Sequence, residues 1–190
     1  VQTLRDITGE KQRQKNLESL YRLSQSLSTS LNLDTVINLA LDEIIPIIGK
    51  SNATVGIALL DEGKRELKGM VVRRYNGEII KGINLPLSDI PENISRILIE
   101  ERQPWVSTDI SQAPESMKKV PHFEEYRSFM AIPLVVGNRT TGILFVTSFD
   151  ARSYSNEEYA FLETYIRGIA LAIENARLFS QTDEALQAQV

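Results

Sequence analysis

Nucleophilic, metal and redox chemistry depend on a small set of side chains, and this 190-residue chain is poor in them. It contains no cysteine, which removes thiolate nucleophiles, thiolate metal sites and disulfides together. Its one histidine, His122, follows Pro121. An imidazole there could be an axial ligand to a haem iron, or donate a hydrogen bond to a bound tetrapyrrole or acid. In a polar loop it is as readily a solvated ring. One histidine without cysteine does not by itself make a tetrahedral zinc site. No Gly-rich phosphate loop, HExxH or GxSxG motif is present. With no activated nucleophile or metal constellation to assemble, the chain reads as a non-enzyme.

The elements around these residues follow from periodicity. Residues 1–8 read as a short strand, and 10–31 as a helix with Leu17, Leu20, Leu27 and Leu31 at three–four spacing. Ser24 interrupts that coiled-coil-like seam, a device that sets register rather than stability. Asn32 or Asp34 can cap a second helix whose apolar face runs from Val36 to Ile48 and ends at Gly49. Strands are expected at 53–60, 66–75 and 78–87, with turns at Asp61–Lys64 and Asn76–Gly77. Asp89 and Glu92 have capping-box spacing and predict a helix carrying Ile94, Ile97 and Leu98. A short strand at 104–106 precedes an irregular polar stretch at 108–120. Gly137-Asn138 then joins two strands, 129–136 and 140–149, apolar enough to be buried on both faces. A long helix closes the chain from Asn156 to about Val190. Its apolar row is Tyr159, Leu162, Ile166, Ile169, Ile173 and Ala176.

Strands arranged in hairpins rather than in βαβ alternation predict an α+β fold, a mostly antiparallel five- to six-stranded sheet with helices on both faces. The net charge of −4, without a basic stripe, argues against nucleic acid and against direct membrane contact. No apolar run reaches the 18 or so residues of a spanning helix, and no signal peptide opens the chain, so a cytoplasmic location is expected. The two apolar helical rows extend further than a domain of this size needs to cover its sheet. An exposed stripe of that kind is costly unless paired. A parallel twofold bundle is therefore expected, with Leu17, Leu20, Ser24, Leu27, Leu31, Ile166, Ile169 and Ile173 at the dimer contact.

Several stretches taken in order resemble the GAF domain family over residues 20–180. Leu27–Gly49 resembles its opening helix, and Ser88–Ser107 its middle helix and following strand. Ser128-Phe-Met-Ala-Ile-Pro-Leu-Val-Val-Gly-Asn-Arg-Thr-Thr-Gly-Ile-Leu-Phe-Val146 resembles its most recognisable signature, and Tyr154–Phe179 its closing helix. Arg5-Asp6-Ile7-Thr8 before a charged helix looks like the exit of a PAS domain, although Gly9 departs from the acidic residue usual there. The implied organisation is the end of a PAS module and a linker helix at 1–19, the GAF domain at 20–180, and the start of an outgoing signalling helix at 181–190.

The resemblance implies a regulatory domain in a dimer, binding a small ligand noncovalently and relaying a conformational signal to an output domain. The expected parent is a sensor histidine kinase, a transferase of two-component signal transduction, with PAS and kinase modules as neighbours. The alternative is a ligand-free module serving only dimerisation and relay. Position in the family pattern places Asp89, Trp105, Asp109, His122, Phe123, Tyr126 and Ser128 around the pocket. Asp89-Ile90-Pro91 is similar to the Asp-Ile-Pro that phytochromes set against a bilin, but it is also an ordinary helix start. Covalent bilin attachment needs a cysteine, and Pro121 stands where some bilin-binding relatives carry one, so covalent attachment is excluded. Haem or a noncovalent tetrapyrrole is disfavoured, which leaves the cofactor unknown. The cysteine chemistry of the methionine-sulfoxide-reducing relatives is likewise absent, and the spaced Asn-Lys…Phe…Asp-Glu motif of cyclic-nucleotide binders is not found.

Overall fold

The computed structural model describes residues 32–48, 53–74, 76–112, 125–151, 154 and 156–187. The strand expected at 1–8, the helix at 10–31 with its seam Leu17, Leu20, Ser24, Leu27 and Leu31, and His122 and Phe123 lie outside the described residues.

Helix α1 spans Leu33–Ile48. Asn32 is its cap: the Thr35 N–H donates to Asn32 Oδ1 at 2.9 Å, satisfying one of the amides a helix start leaves unpaired. Strands β1 (Ala53–Asp61), β2 (Glu66–Arg73) and β3 (Ile79–Pro86) follow as a meander. A 3₁₀ turn, Leu87–Asp89, leads into α2 (Glu92–Ile99). The capping box expected there does not form. Pro91 occupies the cap position with no side-chain hydrogen bond, and Glu92 is the first helical residue rather than the third, so Asp89 and Glu92 are out of register for the box.

Strand β4 (Trp105–Ser107), a second 3₁₀ turn at Ile110–Gln112, strands β5 (Ser128–Val136) and β6 (Arg139–Ser148), and helix α3 (Asn156–Gln187) complete the order. The strands form one six-stranded sheet in the order β3-β2-β1-β6-β5-β4, with every pairing antiparallel. The β5–β6 hairpin closes on Gly137, whose φ of +62° is a left-handed conformation that favours glycine. The two borders of the sheet are irregular. β3 pairs with β2 through two register shifts, and β4 is three residues long.

Side chains alternate strictly in the centre of the sheet. Val55, Ile57 and Leu59 of β1 and Leu144 and Val146 of β6 face α1 and α3, forming the larger core with Ile44, Tyr165 and Ile169. Ala58, Leu60, Val72, Ala131 and Ile143 face the other way, toward α2 and the segments beside it. β1, β5 and β6 are therefore buried on both sides over most of their length, which is why they read as near-continuous apolar runs.

Helix α3 corrects one expectation. Ile166, Ile169 and Ile173 are buried in the chain's own core, against α1 and the sheet, and offer no surface to a second copy. Its exposed apolar residues are instead Leu171, Leu178 and Phe179, at 53, 49 and 48% exposure. Among the described residues no helix is long and apolar enough to cross a membrane.

Candidate functional site

The α2 side of the sheet is the candidate site. Its floor is the set of residues that alternation points away from the terminal helices. At the centre lies Gly56, paired across the β1–β6 ladder with Phe145. A Cβ at Gly56 would sit 2.0 Å from Phe145 Cζ, so the ring lies flat over the glycine backbone, a contact only this residue permits. Phe145 stacks parallel to Phe129 with centroids 6.2 Å apart, and Phe129 meets Trp105 at 5.8 Å in a tilted arrangement. Tyr126 and Phe149 form a second tilted pair at 5.1 Å. An aromatic floor thus crosses β6, β5 and β4.

One strand-row along the sheet, the floor turns polar. Phe129 pairs with Thr147, Thr147 with Thr54, and continuation of the β1–β2 register sets Arg74 opposite Thr54. The Arg74 N–H donates to Glu78 O and closes the hairpin turn into β3. Its guanidinium lies 3.5 Å from Glu78 and 3.3 Å from Glu125. Thr54 and Thr147 are 0% and 2% exposed, and neither hydroxyl has a hydrogen-bond partner among the described residues. Buried hydroxyls are ordinarily satisfied, so two orphans on neighbouring strands need an explanation.

The predicted site residues divide. Trp105 and Tyr126 belong to the apolar cluster of this face. Asp109 stands at its margin beside buried Ile110. Its carboxylate accepts the Ser111 N–H at 3.1 Å and lies 3.5 Å from Arg127. The Ser111 amide, then the Ser111 hydroxyl and Arg127 hold this carboxyl below its ordinary pKa. Asp89 is half-exposed in the 3₁₀ turn before α2. Ser128 is a correction: it pairs with Ser148 and shares the face of Met130 and Ile132, so its buried hydroxyl points toward the terminal-helix core and not into the candidate site. The residues missed were Thr54, Arg74, Phe145, Thr147 and Phe149. The odd-numbered alternation Ile143, Phe145, Thr147, Phe149 was the available signal.

The tip of the β5–β6 hairpin touches both layers. A register shift after Leu134 flips the alternation, so Thr140 turns toward α2 and Arg139 toward α3. The Thr140 hydroxyl reaches Leu98 O and Ile99 O, at 3.2 and 3.1 Å, where α2 leaves carbonyls unpaired. Arg102 donates to Asn138 O at 3.4 Å. On the other side Arg139 is bound to Glu174 of α3, a carboxylate only 5% exposed, which also receives Arg177 Nε at 3.1 Å and Nη2 at 3.0 Å.

A wholly antiparallel six-stranded sheet, with long helices on one face and a short helix and loops on the other, defines a three-layer α+β domain. The model of the GAF domain family matches residues 30–174, and the chain belongs to that family. It is 24% identical over 187 residues to the circadian input-output histidine kinase CikA of Thermosynechococcus vestitus. That alignment takes in 93% of this chain but 25% of the kinase, so the chain spans about a quarter of that relative. Among solved structures it is similar to the GAF domain of an Acinetobacter phosphoenolpyruvate-protein phosphotransferase, with a TM-score of 0.69 and 20% identity. That match covers 85% of this chain and 94% of the other. The phycoerythrobilin-bound GAF domain of a cyanobacterial phytochrome is similar at a TM-score of 0.65 and 16% identity, covering 86% and 96%.

Proposed function

We propose that this chain is a regulatory GAF domain that binds a small molecule noncovalently on the α2 face and relays the change to α3, in a dimer, toward a histidine kinase-type output. Similarity to a circadian input-output histidine kinase supports the setting, and the proposal places the domain in the cytoplasm. The observation that carries the reading is the hairpin tip. Thr140 fastens it to α2, and Arg139 fastens it to Glu174, so a shift of α2 has a bonded route around the sheet to α3. A ligand can drive such a shift only by binding one arrangement more tightly than the other.

Leu171, Leu178 and Phe179 fall at i, i+7 and i+8, on the side of α3 opposite Ile169 and Ile173. A second copy pairing along this stripe would cover it, which gives the dimer a contact distinct from the buried isoleucines.

The test joins a thermal-shift screen of nucleotides, tetrapyrroles and organic acids with mass spectrometry of the purified chain. Hydrogen exchange along α2 and α3 is then measured with any compound that binds. Saturation at 100 times Kd should stabilise the fold by about 2.7 kcal/mol. Exchange should change on both helices, and Arg139→Gln should confine the change to α2. A screen with no shift and no retained compound would leave only the dimerisation-and-relay role.

A further inference from the structure

We infer that α3 pairs with α3 of a second copy as a parallel, in-register coiled coil, and that Asn175, set opposite its own twin, fixes that register; this rests on the dimer reading above. The chain's own core uses one side of α3, where Leu162, Ile166, Ile169, Ile173 and Ala176 are buried. The opposite side carries a second row. Thr164, Gly168, Leu171, Asn175, Leu178 and Thr182 are all exposed, and they follow one another at intervals of four, three, four, three and four residues. Alternating fours and threes are the a and d positions of a heptad repeat. Leu171 and Leu178 fall at d, the leucine position of parallel two-stranded coils, and Gly168, Asn175 and Thr182 fall at a.

The occupant follows from charge. No residue of the row is charged, although Glu163 and Arg167 stand exposed beside it. In a parallel, in-register pair each a or d side chain meets its own copy, so one charge in the seam becomes two like charges. A twin therefore requires an uncharged row, whereas a different partner would tolerate a charge by presenting its opposite. Gly168 points the same way. A Cβ there would meet no atom of the chain within 4 Å, so the chain's own packing does not call for glycine, which weakens a helix interior. At an a position it lets two backbones approach closely.

Asn175 sets the register because of what its neighbours have already spent. The Thr164 and Thr182 hydroxyls donate to Ala160 O and Leu178 O, at 3.1 and 2.9 Å, so neither has a proton left for the seam. A carboxamide carries both donor and acceptor, and two of them face to face satisfy each other. A slip of one heptad would set each against Gly168 or Thr182 and lose that exchange. Parallel pairing also brings the two C-terminal ends of α3 side by side.

The chain has no cysteine, so single cysteine substitutions report contacts without background. Thr164→Cys and Thr182→Cys, at the two ends of the row, and Glu163→Cys beside it are oxidised in the whole chain. Each end variant should cross-link to its own twin, at least tenfold more than Glu163→Cys. Cross-links that form only when the two end variants are mixed would show antiparallel pairing, and would overturn the inference while leaving a dimer. Sedimentation then compares the wild type with Asn175→Asp and Asn175→Leu. Asn175→Asp should raise the dimer Kd at least tenfold at pH 7, where two carboxylates meet, and regain wild-type association below about pH 4. Asn175→Leu should tighten association and admit species larger than the dimer, since a polar a residue gives up stability for a single state. An unchanged Kd in Asn175→Asp would overturn the place of Asn175 in the seam. A wild-type chain that stays monomeric would overturn the inference and the dimer reading together, leaving ligand binding on the α2 face untouched.

Discussion

The two faces of the sheet are built from the same strands and solve different problems. Toward α1 and α3 the alternate residues are aliphatic, deeply buried and locked by Tyr165 and the isoleucines of α3. Toward α2 the same strands contribute rings, a glycine under a ring, and two buried hydroxyls without partners among the described residues. A close-packed aliphatic layer has one good arrangement and resists change. Buried hydroxyls without partners among the described residues occur on both faces, Ser128 toward the helices and Thr54 and Thr147 toward α2, so the rings and the glycine are what set the α2 face apart. The difference fits a division in which one side of β1 and β6 carries stability and the other the proposed recognition.

The largest test of that division is Ile169→Ala in the helix-face core. It should cost about 2–5 kcal/mol in urea unfolding, because the cavity lies between α3 and a sheet that cannot collapse onto it. A loss well under 1 kcal/mol would mean that this face is loosely packed. Gly56→Ala comes next on the opposite face, at about 1–3 kcal/mol. Its methyl group meets the Phe145 ring, which must swing off the floor, so the affinity of any compound retained in the ligand screen should drop more than stability does. Equal losses in both would undo the contrast.

Glu174→Gln should cost about 1–2 kcal/mol, because Arg139 and Arg177 lose a shared charge at a buried position. Amide exchange in α3 should rise while that of β1 stays unchanged. A uniform rise would make the clamp part of the general core. Smaller still is an acid effect at Asp61. The Lys68 ammonium at 3.0 Å and the Lys64 N–H at 3.1 Å hold that half-buried carboxyl below its ordinary 3.8. A depressed folded-state pKa adds stability that is present above the unfolded value and lost as pH falls through the folded one. Asp61→Asn should therefore lower stability slightly at neutral pH and flatten the profile below about pH 4, where wild type and variant converge. Leu178→Lys should change monomer stability least, within about 0.5 kcal/mol. Sedimentation should nevertheless shift from dimer to monomer, and an unchanged sedimentation coefficient would remove the exposed stripe from the interface.

The fold was legible because its signals are local. The Asn76-Gly77 and Gly137-Asn138 turns, the β-branched runs between them and the cap at Asn32 each specify an element without reference to the rest. The site was less legible because it depends on which way a strand residue points once the register is set. Ser128 and Phe129 are neighbours in sequence and face opposite layers, so the family pattern alone placed Ser128 on the wrong side. Thr54 and Thr147 lie 93 positions apart in the chain and become adjacent only through the β1–β6 ladder. The heptad-like row of α3 also had two readings, core or interface. Burial assigns Ile166, Ile169 and Ile173 to the core, because α1 and the sheet already occupy that side of the helix.

Open sheets are prone to growing by addition of further strands, and the borders of this one discourage it. On one side β3 is broken by register shifts and by Gly82 at a φ of +79°, with Lys81 exposed beside it. On the other, β4 presents three residues, too few to template a partner. Interrupted, charged or very short margins are how native sheets avoid fibre-like polymerisation. For the proposed dimer this leaves the exposed stripe of α3 as a contact that can close on itself, without a second adhesive edge at either sheet border.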